Sequence, residues 1–506
     1  MNAEAVPAFL APIDLFPKAL GPLSWPITTS SRQAQAYFDQ GLQLRYGFGV
    51  DEAARSFREA QRADSDCAMC YWGEAYALGS YLNAPITTAK APYAFAASQR
   101  AVALAAQNAT PLERDLIEAT QVRYVANYEP DMKPQLDQAF ADAMATVHAR
   151  YPDDLNITAI YASALFLLEP RRGTRNLDDQ DVIRLHGVLK DGLAKDIRHP
   201  GLCHLFVHAT ESTLRPDLAE PCAEYLGTSI PGASHINHMP SHTWNEVGRW
   251  GDSVRANIIA WHSDLKAATG EGVPIYPSHN LHMLLFAASM DGQGAIAMQA
   301  GKDYAKLENT TIYEVLTLVR FGRFDEIRAV RARPTDDVGG GFWDFAQGYA
   351  RLRAGDVNAA ARMSRRVLNT ANSTQETFRR HPGRALLGTV GQILAGEIER
   401  ARGNLDAAIA NFQQAVELED SLEYDEPEPL PFAARHWLGA TLLDAGQYAQ
   451  AERVYREELL DHPHNVWSLY GLTVAIAAQG RQDSLVAADF AASTARTDTW
   501  ITASRF

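Results

Sequence analysis

The sequence predicts an all-α protein built as a long array of helical hairpins. Three observations carry this reading. Apolar residues recur at helical spacing along nearly the whole chain. A glycine turn recurs between paired helices through the C-terminal half, at Gly248, Gly292, Gly322, Gly355, Gly403, Gly446 and Gly480. No run of alternating or continuous apolar residues reads as a strand.

Taken in order, residues 1–31 are broken by prolines and read as an irregular arm. The arm has no basic stretch of the kind that opens a secretory signal peptide. From residue 32 the hairpins begin. "YFDQGLQLRYGF" with "DEAARSFREAQRA" forms the first, and "CAMCYWGEAYALG" opens the next. Residues 32–506 are read as one array of roughly a dozen such units. The glycine turn, small residues at helix contacts and a closing proline, as in "HWLGATLLDAGQYAQAERVYREELLDHP", resemble the tetratricopeptide repeat. That resemblance implies a right-handed α-α superhelix whose first helices line a concave groove. Two segments depart from it: "SLEYDEPEPLP" (421–431) reads as an extended surface loop, and "VGGGF" (338–342) as a plain turn without the Lys-Ser/Thr of a phosphate loop.

Composition narrows the function. The 506 residues carry a net charge of -15, against wrapping nucleic acid or docking on an anionic membrane. Hydrophobic residues are 46% of the chain, with no apolar stretch long enough to span a bilayer. The four cysteines are too few for a disulfide framework and suit a reducing, cytoplasmic setting. "CAMC" (67–70) is read as part of a buried helix.

Histidine sets this chain apart from a plain scaffold. Nine of the 15 histidines lie between His199 and His282. "HLFVHATE" puts His204, His208 and Glu211 on one helix face, and "HMPSH" repeats the spacing at His238 and His242. The two pairs are 34 residues apart, one repeat length, so they occupy equivalent places on successive hairpins. His282, ten residues before its glycine turn as His238 is before Gly248, reads as a third copy, with His279 one turn earlier. Helices packed 8–10 Å apart let such imidazoles share an ion. The expected ligands are therefore His204, His208, His238, His242, His279 and His282, in a metal segment at 199–286. A nitrogen-rich set suits copper, iron or zinc and disfavours magnesium and calcium. Six imidazoles leave room for two ions. Glu211 or Glu246 would serve as ligand or general base, and Tyr276 as a hydrogen-bond donor. His199, His235 and His262 read as structural, with His235 the one nearest to supporting the ligands.

The expectation is a metal-dependent enzyme that takes a small molecule or peptide in its groove, oxidation being favoured over hydrolysis. Two alternatives stand beside it: a non-catalytic adaptor, with Asn237 and Asn280 holding a partner peptide, and a metal store or sensor.

The chain also resembles a His-rich group of bacterial tetratricopeptide-repeat proteins, over about residues 35 to 300. The shared motifs are "FDQGL" (38–42), "CAM-YWG" (67–73), His-x-x-x-His-x-x-Glu, "HMPSH" and Tyr-x-x-His-Asn-x-His (276–282). The resemblance implies the fold and the histidine set, and no particular activity. At the first hairpin turn, where relatives often carry Asn-His, this chain has Phe48 and Gly49, so Gly49 supplies no ligand.

Overall fold

The computed structural model describes residues 7–170 and 173–506. Apart from one two-residue ladder, Thr377–Phe378 with His381–Pro382, the regular elements among the described residues are helices. The chain forms two compact units. One comprises Met1–Thr243 with Ile259–Pro277, the other Trp244–Ile258 with Ser278–Phe506. Each is an all-α stack in which a helix packs chiefly on the next in sequence.

In the first unit the described part of the arm, residues 7–31, holds one 3-10 turn at Ala8–Leu10 and is tied down by buried side-chain amides of the first helix, Arg32–Tyr46. Gln40 accepts from the Phe16 amide at 2.8 Å, and Gln43 accepts from Gly21 at 2.7 Å and donates to Leu23 O at 2.7 Å. These bonds satisfy backbone groups that have no helix or sheet partner.

The hairpin itself rests on small residues facing aromatic ones. The Phe57 ring, on the helix Val50–Ala63, lies between Gly41 and Gly73; a Cβ on Gly73 would stand 2.2 Å from it. The glycines of "FDQGL" and "YWG" are thus the two walls of one aromatic slot. Gly73→Ala is expected to cost about 1–3 kcal/mol of stability through overpacking, read as a lower urea midpoint, with partial rescue by Phe57→Leu. The second unit repeats the device: Tyr455 lies between Gly439 and Gly471, whose added Cβ atoms would meet the ring at 2.4 and 2.1 Å.

All seven turn glycines, from Gly248 to Gly480, have positive φ between 64° and 87°. The left-handed conformation closes each helix so the chain can reverse, and glycine adopts it without a Cβ clash.

Three local readings are corrected. "VGGGF" is inside the helix Asp337–Arg353, whose first turn is capped by Asp336 accepting from the Gly339 amide. Its glycines admit neighbours rather than a turn, since a Cβ on Gly341 would lie 2.4 Å from Leu387. The acidic insertion is not spread on the surface. Asp425, Glu426 and Leu430 are buried, because Arg379 and His381 sit against Asp425 at 2.8 and 3.4 Å and Glu428 meets His462 at 3.3 Å. Finally, the four cysteines pair as Cys67–Cys70 and Cys203–Cys222. The second pair forms because the helix Pro200–Thr210 packs on Glu220–Leu226, a contact that spacing does not reveal. Denatured, unreduced protein is expected to show no reactive thiol, and four after reduction; a free thiol before reduction would contradict the pairing.

Candidate metal centre

Five histidines of the candidate centre lie in the first unit, on and around the helix Pro200–Thr210. His199 caps this helix: its Nδ1 accepts from the Leu202 amide at 3.1 Å, and its Nε2 meets Asn156 Oδ1 at 3.2 Å. Burial pushes the His199 imidazole down to about 4, so it folds neutral. Below the unfolded value of about 6.5 the unfolded chain takes up a proton that the folded chain refuses. The His199 contribution is therefore complete above pH 6.5 and lost as pH falls toward 4, at up to about 1.4 kcal/mol per unit. His199→Asn keeps a capping acceptor and removes the titration. Unfolding curves at pH 7.5 and 4.5 are expected to show a smaller acid loss in that variant than in the parent.

From this cap the helix carries His204 and His208 one turn apart on its inner face, both buried. Each has one ring nitrogen committed to holding the ring. His204 Nδ1 donates to Tyr46 O at 2.5 Å, which leaves Nε2 buried and, among the described residues, without a partner. His208 Nδ1 donates to Glu211 Oε1 at 2.8 Å, leaving Nε2 as its nitrogen for an ion. The other Glu211 oxygen lies 2.5 Å from His242 Nδ1, at ion-pair distance. Burial alone would raise the Glu211 carboxyl, but His208 and His242 outweigh it and hold the group well below the usual carboxylate range. Glu211 is therefore an ionised bridge that orients two imidazoles.

Helix Ser234–His238 supplies two more rings. His235 is 1% exposed, and among the described residues neither of its ring nitrogens has a partner; its centroid is 5.0 Å from His204 and 6.1 Å from His208. His238 follows, 5.6 Å from His235. Pro240 then begins a second short helix, Pro240–Glu246, carrying His242. His238 Nε2 and His242 Nε2 stand 2.8 Å apart. Two imidazole nitrogens this close share either a proton or an ion. Five imidazoles thus form a continuous string, with burial and then neighbouring histidines holding His204 and His235 far below the ordinary histidine range. Neutral imidazole is the form that binds metal.

His204, His208 and His235 each offer one ligand atom within 4.8 Å of the others. An ion about 2.1 Å from each nitrogen spreads its ligands by about 3.4 Å, so these rings close on it with shifts of about an ångström. His208, Glu211 and His242 likewise have donor atoms mutually within 4.8 Å.

Above the string lies Phe48, whose ring is 4.2 Å from His204, 5.5 Å from His235 and stacked on His208 at 5.8 Å. Tyr276 closes another side, 5.1 Å from His235, with its hydroxyl 2.7 Å from that of Tyr81.

Of the residues singled out from sequence, His204, His208, Glu211, His238, His242 and Tyr276 therefore gather in the first unit. Glu246, His279 and His282 belong to the second. His282 stacks on Tyr313 at 4.3 Å and is in none of the metal-capable groups among the described residues. His262 is exposed. Sequence reasoning undervalued His235, which falls outside the 34-residue register of the two pairs; its signal was the clustering of histidines in "HINH". It also passed over Phe48 and Tyr46, which act through ring packing and a backbone carbonyl.

No protein-family model matches this chain, and no curated protein matches it. Solved structures similar to it over most of its length include the Cut9–Hcn1 hetero-tetramer of the APC/C, at 12% identity and a TM-score of 0.31, covering 91% of this chain and 76% of that one. Yeast Tom70 matches at 12% identity and 0.32, covering 90% and 99%. Human IFIT1 with m7Gppp-AAAA matches at 11% identity and 0.30, covering 92% and 90%.

Proposed function

We propose that the first unit binds a transition metal ion through His204, His208 and His235, with His238 and His242 offering a second position, and that the protein is a metal-dependent enzyme acting on a small molecule. The observation that carries this is the trio of buried imidazoles with converging donor atoms. Two of them are oriented through Nδ1 by a carboxylate or a carbonyl. Among the described residues His204 Nε2 and both His235 nitrogens are buried without a partner, at a cost of about 1–3 kcal/mol each, and an ion satisfies them together. A three-histidine shell leaves a coordination position for water, dioxygen or substrate. The nitrogen donor set suits copper, iron or zinc; copper or iron supplies oxidation, the favoured chemistry, and zinc supplies hydrolysis.

Glu211 orients His208 and His242, and Tyr276 presents a hydroxyl beside His235. Elemental analysis of untagged protein tests the reading. One or two copper, iron or zinc ions per chain supports it, and oxygen uptake by the loaded protein distinguishes oxidation from hydrolysis. Protein that purifies without metal and takes up none on dialysis sinks it.

A further inference from the structure

The partition over the histidines has an outer side. A cleft of about 360 Å³ opens to solvent in the first unit, and its inner wall is Phe48, Tyr81 and Tyr276. Phe48 and Tyr276 are the same two side chains that touch the imidazoles from outside. Cleft and histidine string are therefore one ring apart.

Both partition residues are held in a costly backbone conformation, φ +62° at Phe48 and +56° at Tyr276. A non-glycine residue is strained there and persists only where its surroundings hold it. Behind them is His235, fully buried, with neither ring nitrogen partnered among the described residues and its ring edge-on to Tyr276. A path through the partition thus ends at a group that lacks a partner among the described residues.

We propose that this cleft is the substrate port of the histidine site and that it takes a small aromatic molecule bearing a hydroxyl group. Binding in the cleft is independent of the metal reading, and only the chemistry after binding rests on it. Phe48, Val50 and Ile275 offer apolar and ring surface for a flat body. The Tyr81 and Tyr276 hydroxyls share one hydrogen bond, which uses one of their two protons and leaves the other to donate to a ligand oxygen. At the mouth, Asp51 is neutralised by Lys90 at 2.5 Å, whereas Glu52 has no such salt bridge among the described residues, so the lining disfavours an anionic ligand. The volume lies at the lower end of small-molecule sites and is too short for an extended peptide.

The test uses the full chain after treatment with chelator, so that binding is read without metal. Calorimetric titration with p-cresol is expected to show one site, with toluene bound about tenfold more weakly because it leaves the hydroxyl pair unmatched. The double variant Tyr81→Phe/Tyr276→Phe removes both hydroxyls and is expected to remove that tenfold preference. Thr87→Trp, at the exposed rim of the cleft, is expected to abolish binding of both probes. Helicity checked by circular dichroism and an unchanged metal content keep both variants interpretable. Equal affinity for p-cresol and toluene, p-cresol binding untouched by Thr87→Trp, or no binding to the parent would overturn the proposal. Saturable p-cresol binding in a chain that takes up no metal would retain the cleft and reject the metal reading.

Discussion

His208→Ala is expected to reduce bound metal from about one ion per chain at the three-histidine position to none. The loss should appear by elemental analysis after dialysis against micromolar metal, with helicity unchanged. The size of the effect comes from the coordination count. Taking one imidazole from a set of three leaves two protein donors, below what holds a transition ion firmly. The same change strips Glu211 of one of its two histidine partners, so a decrease in thermal stability is expected alongside. His282→Ala is the control. His282 stacks on Tyr313 and joins no metal-capable group among the described residues, so its replacement should leave metal content intact while costing packing energy. Equal metal loss in both variants would show that this assignment of ligands is wrong.

Glu211 carries the second large effect, because it is buried and serves two rings at once. Glu211→Gln retains the shape but replaces one acceptor oxygen with an amide that can only donate toward a ring that also donates. One imidazole must rotate or change tautomer, and metal affinity is expected to fall by about 10–100-fold. Glu211→Ala leaves both Nδ1–H groups buried without an acceptor, and a destabilisation of about 3–5 kcal/mol is expected from breaking a buried charged network. A competition titration with a chromophoric chelator reads the first change, and urea denaturation of metal-free protein reads the second. If Glu211→Gln held metal as tightly as the parent, the carboxylate would be a bystander to the site.

Much of the architecture could be read without coordinates, because helical periodicity and left-handed glycines are local properties. Gly446 and Gly480 end their helices with positive φ for the same reason their sequence context suggested it. The misread stretches have a common cause. Three glycines in a row at 339–341 read as a turn, yet Leu387 and Arg333 need the space their missing side chains leave within a helix. The acidic run at 421–431 reads as solvated, yet Arg379, His381 and His462 lie beside it in the folded second unit. Cys203 and Cys222 meet because two helices pack, and neither composition nor spacing records that contact.

The candidate site divides the same way. Spacing alone places His204 with His208 on one helical face and sets His238 and His242 one repeat further on, since both rules depend only on rise and turn per residue. Only the fold brings in His235 and lays Phe48 across the rings. It alone has Glu211 grip imidazoles from two helices, and it alone opens a cleft against Phe48 and Tyr276. Those facts depend on how helices distant in sequence are packed and on which nitrogen each ring commits to its neighbours. Packing of that kind is decided by shape and burial over the whole unit, which no local stretch of residues encodes.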